Sequence, residues 1–468
     1  MKPGGPDKDN SRESSEKPPE PREGPPGDWQ AAHAQPGKQL GQAQGPDPSE
    51  LEVFQPAHPA PSISGYQDVI AQEPKELSRL EPIIGSIYEP IMGTRWIWQH
   101  PEWPHFKWDV GELAEPLARA TGAQEQLRMV GRVLDKNLTR EALAEILQLE
   151  GISTSAIEGE YLNPASVAAS VARHLKLPWD QSSPLSRDAD GLVGVLCDAT
   201  ERHAEPLSVE RLCEWQKALF PESRTGMGQI ATGVLRPGEV VVQSGPIGRE
   251  LVDFEGVPRK RLEGDLQAFV SWFNESRDSV NGLIRAGTAH LWLVTLHPFE
   301  DGNGRLTRAV TDLALAQDEG RSDFLYRMSS RINAVKGEYY SALKKAQTFG
   351  GGVNVTPWLK WFLAQIPVAC QSSGEIVKRT LAKAAFWAQH RELDINERQR
   401  KVLNRLLDAG PGGFEGGINA RKYESLAKTT KATATRDLTD LVEAGCLIHI
   451  GGGGRSTSYD IPWGRLMQ

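Results

Sequence analysis

The sequence predicts a mainly α-helical protein carrying one short β-hairpin and, at its C-terminal end, a winged helix-turn-helix unit. Three observations predict it. From Pro116 onward most segments place apolar residues three and four apart, as in Leu127, Val130, Leu134 and Leu138, which lines one face of a helix. Residues 233–245 break that texture: Pro237-Gly238 is followed by Val240, Val241 and Val242, and β-branched residues beside a Pro-Gly step read as a hairpin. Residues 394–462 read as three helices and then two strands around the glycines at 451–454, the order of a winged helix-turn-helix.

Composition narrows the classes of function. The chain has 468 residues, enough for about two to four domains. A net charge of -8 gives no whole-protein argument for polyanion binding. Cys197, Cys213, Cys370 and Cys446 lie far apart, in no zinc-binding spacing, which speaks against a disulfide framework and fits a reducing cytosol. No stretch approaches the roughly 18 uninterrupted apolar residues of a membrane span, and the first residues form no apolar run. The expectation is a cytoplasmic protein without membrane contact.

The elements follow in order. Residues 1–88 form a Pro/Gly-rich tail, with 13 of the 32 prolines in the first 61 positions; such a segment buries too little apolar surface to offset its conformational entropy, and disorder is expected. Order is expected from about Ile91. Trp96, Trp98, Trp103 and Trp108 follow closely, with only Arg95 and Lys107 among them, so they read as an aromatic core and not as a stacking platform for nucleic acid. Residues 116–150 read as two helices broken at Asn137-Leu-Thr-Arg, with Thr139 as N-cap, and the second helix runs on to a stop at Gly159. That puts Glu158 in the last turn, where the helix dipole disfavours an anion. Further helices are expected within 163–220, one of them capped by Ser208, and over 262–273, 289–296, 306–316, 339–349 and 358–365. The domain plan is a tail over 1–88, a Trp-rich helical domain over 89–175, a core over 176–370, a linker helix over 371–393 and the winged unit over 394–468. That last unit has ten Lys/Arg against nine Asp/Glu in 394–462, which leaves DNA contact and protein docking both open.

The chemistry concentrates in His297-Pro-Phe-Glu-Asp-Gly-Asn-Gly-Arg305-Leu-Thr-Arg308. The turn Gly302-Asn303-Gly304 opens a helix, where converging N–H groups and the helix dipole favour an anion. Asp301 suits Mg²⁺, which takes one or two carboxylates and completes its shell with phosphate oxygens and water. Arg305 and Arg308, three apart on the first helical turn, can face the same phosphates. His297, neutral near pH 7, can take a proton from a hydroxyl. Together these parts suit in-line attack of a hydroxyl on a nucleotide phosphate.

This stretch resembles the signature His-Pro-Phe-x-Asp/Glu-Gly-Asn-Gly-Arg-x-x-Arg of the Fic (Fido) family at every defined position. The resemblance covers about residues 92–462. It implies a Fic-type helical core with a β-hairpin flap, and transfer of AMP from ATP to a Ser, Thr or Tyr hydroxyl of a target protein, with Mg²⁺. It implies His297 as base and Asp301 as metal ligand. Gly302, Asn303, Gly304 and Arg305 would bind phosphates, and Arg308 the γ-phosphate. The valines Val240, Val241 and Val242 fall where the target-docking flap belongs, which makes peptide binding by strand addition the better reading of the hairpin. Thr154-Ser-Ala-Ile-Glu158-Gly159 is similar to the family's inhibitory pattern Ser/Thr-x-x-x-Glu-Gly/Asn, in which the glutamate occupies the second arginine, here Arg308, and competes with the γ-phosphate. Gln216 stands where many members of the family have histidine. Removal of AMP, another nucleotide donor, DNA binding through the winged unit and a homodimer are alternatives that these residues leave open.

Overall fold

The computed structural model describes residues 95–466 except 226–227, 245–250, 349, 351 and 452–456. The tail over 1–88 and the start near Ile91 lie outside the described residues, as do Gly245 and the glycines at 452–454. Helices dominate and, among the described residues, no strand is longer than five residues, so the expected mainly α class is what is found.

The tryptophan-rich segment forms an aromatic core. Trp96, Trp98 and Trp103 are buried. Trp96 meets Phe254 edge-on at 5.3 Å, and Trp103 and Phe106 both pack on Trp292. Helix α1 (Val110–Gly131) starts at Asp109, whose side chain accepts from the Glu112 N–H, and α2 (Lys136–Ile157) starts at Asp135, which accepts from the Asn137 and Leu138 N–H groups. The break therefore falls at 132–135 and not at Asn137-Leu-Thr-Arg, and Asp135, not Thr139, is the cap. An acid two residues before the first free N–H groups satisfies two of them, and Thr139 is left to donate to the Asp135 carbonyl inside the helix. Gly159, with φ +81°, ends the second helix as expected.

Helices α3 (Pro164–His174), α4 (Arg187–Glu201) and α5 (Val209–Leu219, capped by Ser208) cover one side of the core. α4 and α5 approach so closely at Gly191 that a Cβ there would lie 1.9 Å from the Ala218 carbonyl oxygen. Gly191→Ala is expected to destabilise the protein by about 1–3 kcal/mol through backbone displacement, measured as a lower thermal unfolding midpoint.

Two small antiparallel ladders follow: β1 (Arg224–Thr225) with β2 (Gly228–Gln229), and β3 (Val241–Ser244) with β4 (Leu251–Glu255). Pro237-Gly238 is thus a bend ahead of β3 and not the turn of the hairpin. The reason is Arg236, whose buried guanidinium donates to the carbonyls of His297 (2.8 Å), Gly238 (2.5 Å) and Val257 and pins this bend to the core.

The centre is built from α6 (Arg259–Glu275), α7 (Gly282–Leu296) and α8 (Asn303–Glu319), then α9 (Ser329–Ala334) and α10 (Lys336–Gln347). Almost every residue of α7 and α8 is buried; α7 is apolar on most faces, whereas α8 buries Asn303, Arg305, Arg308 and Asp312 among its apolar residues. The expected separate helices at 358–365 and 371–393 are one helix, α11 (Thr356–Gln389), with Pro367 inside it. It belongs to two cores. Trp358 to Val377 line the main one, and Phe386 reaches the second, which Val402, Leu406, Tyr423, Leu438 and Ile461 complete. That second core is enclosed by α12 (Glu397–Ala409), α13 (Ala420–Ala427), α14 (Lys431–Glu443) and the hairpin β5 (Ile448–Gly451) with β6 (Ser458–Asp460). Among the described residues no helix is long and apolar enough to cross a membrane.

Candidate active site

Helix α7 ends where its apolar run ends. His297 caps it in the left-handed region (φ 49°), Pro298 prevents continuation, and Gly302 (φ 86°) turns the chain into α8. A Cβ at Gly302 would also sit 2.8 Å from the Phe220 ring. Asn303 staples the loop: its amide donates to the Phe299 carbonyl (2.8 Å) and accepts from the Phe299 N–H (2.9 Å), with Phe299 fully buried beneath. Gly302 has no side chain to cap α8, so the first N–H groups of that helix receive no side-chain cap. This is a nest for an anion.

His297 is held at the mouth of the turn. Its Nδ1 lies 3.3 Å from the Val294 carbonyl oxygen. A carbonyl only accepts, so that contact puts the proton on Nδ1 and leaves the Nε2 lone pair free. Burial pushes its pKa down to about 4, helped by Arg236 and opposed by the Val294 carbonyl and Glu158. The ring is neutral at pH 7.

Both arginines are buried and both carry a carboxylate. Arg308 donates through Nε to Thr154 Oγ1 (2.7 Å), and through Nη2 to the Thr154 carbonyl (2.8 Å) and to Glu158 Oε1 (2.6 Å). Burial works to raise the Glu158 carboxyl, but the charge and hydrogen bond of Arg308, with Arg305 and His297 behind them, hold it below the usual carboxylate range. A depressed carboxyl is ionised above its unfolded value, so this pair persists throughout neutral pH and is lost only in acid. Arg305 donates through Nη1 to Glu160 Oε2 (2.6 Å) and lies over the Phe220 ring at 4.8 Å. Gly304 leaves room for this arrangement, since a Cβ there would be 2.1 Å from Glu158 Oε1.

Thr154 and Glu158 share a face of α2 with Glu150, four residues further back, which is fully buried and accepts from the Ser329 N–H (3.0 Å) and hydroxyl. Burial and the neighbouring Asp312 carboxylate raise the Glu150 pKa, against the Ser329 bonds and Arg327. A raised carboxyl binds its proton in the folded state after the unfolded state has lost it, so stability falls as pH climbs above the ordinary value of about 4.3. Glu150→Gln is expected to remove that fall. The difference in unfolding midpoint between variant and parent should widen as pH rises from about 4.3 toward neutral, and a constant difference would contradict it.

The structure brings His297, Gly302, Asn303, Gly304, Arg305, Arg308, Thr154, Glu158 and Gly159 together. Asp301 is adjacent but turns a carboxylate oxygen onto the Gly302 N–H (2.5 Å). Among the described residues no group of three or more His, Cys, Asp or Glu side chains is placed to hold a metal ion. One carboxylate beside an anion nest suits an ion that completes its shell with phosphate oxygens and water. Val240 comes close to the turn through Gly256. Gly256, whose N–H donates to the Val240 carbonyl (3.1 Å), would bring a Cβ within 3.4 Å of the His297 Cβ. Among the described residues β3 pairs only with β4, and Val241 is exposed. Gln216, fully buried, joins the two segments: it accepts from the Gly233 N–H (2.6 Å) and reaches the Asp301 carbonyl at 3.5 Å. Sequence reasoning missed Glu160, Phe220 and Arg236. An acid two residues past Glu158 and an arginine beside a Pro-Gly bend were visible, but nothing local says that they reach the turn.

Fold and site define a helical protein with a glycine turn opening an uncapped helix, a neutral histidine at its mouth and two arginines held by carboxylates. Residues 206–315 match the model of the Fic/DOC family, so this part of the chain is a Fic/DOC domain. Residues 96–177 match a domain of unknown function, DUF4172. The chain is 26% identical over 212 residues to protein adenylyltransferase fic-1 of Caenorhabditis elegans, which covers 44% of this chain and 38% of that protein. It is 30% identical over 116 residues to uridine 5'-monophosphate transferase of Xanthomonas campestris pv. campestris, covering 24% of this chain and 21% of that one. The match thus spans well under half the length of either relative. A solved Fic family protein from Desulfovibrio desulfuricans G20 is 16% identical, with a TM-score of 0.44 over 75% of this chain and 95% of its own.

Proposed function

We propose that this protein is a self-inhibited adenylyltransferase that moves AMP from ATP to a hydroxyl of a target protein. The observation that carries this reading is the Glu158–Arg308 pair at 2.6 Å, beside an anion nest and a histidine with a free Nε2. A carboxylate already sits on a guanidinium of the kind that binds phosphate. The name of the nematode relative supports AMP as the transferred group.

In the reaction Nε2 of His297 takes the proton of the target hydroxyl. The oxygen bonds to the α-phosphorus, the bond from that phosphorus to the bridging oxygen breaks, and pyrophosphate leaves. The nest at 302–304 and Arg305 hold phosphate oxygens, and Arg308 takes the terminal phosphate once Glu158 moves away. Mg²⁺, held by Asp301, would neutralise charge on the leaving group. The free edge of β3 aligns an extended target segment by main-chain pairing, with Val240, Val241 and Val242 beside it.

Incubating the Glu158→Gly chain with Mg²⁺ and α-labelled ATP in a lysate tests the reading, since label on a protein also reports the target. Because the second relative is named for uridine monophosphate transfer, labelled UTP belongs in the same experiment. No protein label with either nucleotide rejects nucleotidyl transfer. We read the C-terminal unit as a winged helix with an accessory role. Ten basic against nine acidic residues provide little attraction for a duplex.

A further inference from the structure

Arg305 and Arg308 stand one turn apart on α8, yet they are held in opposite ways. Arg308 has both Nε and Nη2 occupied, by Thr154 and Glu158. Arg305 is only 5% exposed, gives Nη1 to Glu160, rests against Phe220, and leaves Nε and Nη2 without a hydrogen-bond partner among the described residues. Nε and Nη2 form one edge of the guanidinium, and that edge grips two oxygens of a phosphate in a fork. Two buried donors left unmade are costly unless a ligand supplies the acceptors. Locking removes this edge from Arg308 and keeps it on Arg305.

We propose, on the basis of the nucleotide-transfer reading above, that Glu160 is a positioning residue for substrate phosphate. It holds Arg305 by Nη1 against Phe220, so that the Nε–Nη2 edge stays free for the nucleotide. Glu158 and Glu160, two residues apart, therefore act with opposite sign: the first excludes phosphate from Arg308, the second prepares Arg305 for it. The seam between them is Gly159, in the left-handed region (φ 81°) with nothing within 4 Å of where a Cβ would be. The end of α2 is clamped independently, by Lys336 Nζ donating to the Ala156 carbonyl (3.3 Å) and the Tyr340 hydroxyl donating to the Ile157 carbonyl (3.1 Å). Release of Glu158 is then a rotation of one side chain and its neighbouring peptide, with Glu160 staying on Arg305 and α2 staying on the core.

The alternative is that Glu160 is a second blocker, and the two differ in sign. The test uses the full chain carrying Glu158→Gly, alone and combined with Glu160→Gln or Glu160→Asp. Steady-state transfer from α-labelled ATP gives kcat and KM, and calorimetric titration of ATP with Mg²⁺ into the same chains also carrying His297→Asn gives Kd. Glu160→Gln is expected to raise both KM and Kd by about tenfold while kcat changes much less, as for loss of one charge-assisted contact. Glu160→Asp should recover part of the loss, because a carboxylate is restored. An unchanged or tighter Kd in the Gln variant overturns the positioning role and makes Glu160 inert or a blocker. A Glu158→Gly, His297→Asn chain that binds neither ATP nor UTP overturns the nucleotide reading beneath it, which the Glu160 comparison alone would not.

Discussion

Glu158→Gly is expected to raise nucleotide transfer by about thirtyfold. Its carboxylate makes one charge-assisted hydrogen bond to Arg308, a contact worth about 1.5–3 kcal/mol. The residue opens to solvent on one side, so screening favours the lower part of that range, about 2 kcal/mol, which converts to about thirtyfold. The gain should appear in ATP affinity and in rate together. Arg308 does not collapse when Glu158 is removed, because Thr154 still takes Nε and part of Nη2 and the side chain is only 2% exposed. Initial rates with labelled ATP and a binding isotherm check this. An affinity equal to the parent's would show that the pair is structural and that the γ-phosphate goes elsewhere. Simple titration does not imitate the mutation, since the depressed Glu158 carboxyl stays ionised through neutral pH.

The second large effect is loss of the base. In the Glu158→Gly chain, His297→Ala is expected to lower transfer by about 10²–10⁴-fold, the usual contribution of a positioned proton acceptor, with ATP affinity changed by no more than about threefold, because no phosphate ligand is removed. His297 has φ 49°, where an alanine is strained. His297→Asn, which tolerates that region, separates loss of chemistry from strain. Both variants should lose transfer alike. Transfer retained by His297→Asn would assign the proton to another acceptor.

The twelve residues from His297 to Arg308 were legible because their order is local. Base, turn and arginines follow one another along the chain, and two apolar helices flank them. Thr154, Glu158 and Gly159 were legible for the same reason: a threonine, a glutamate one helical turn on and a glycine stop form a local pattern. Helix boundaries were read less well where two signals competed. Thr139 and Asp135 both suit a cap, and only the observed N–H directions separate them. Pro237-Gly238 reads as a hairpin turn until Arg236 is seen to anchor it to the carbonyls of His297 and Val257. Pro367 argues for a break in α11, but the helix continues because its two ends are buried in different cores.

The sequence by itself determined the chemical inventory: a histidine at a helix end, a glycine turn opening the next helix, two arginines on one helical turn and an acid at the end of a helix. Only the tertiary structure decided which acid meets which arginine. Glu158 and Glu160 differ by two positions and have the same charge, so composition and spacing treat them alike. They part because Gly159 reverses the chain between them, sending one carboxylate to the Nη2 of Arg308 and the other to the Nη1 of Arg305, about 150 residues away. The direction of a side chain across such a distance depends on how α2 packs on α8, and that packing is set by the whole core.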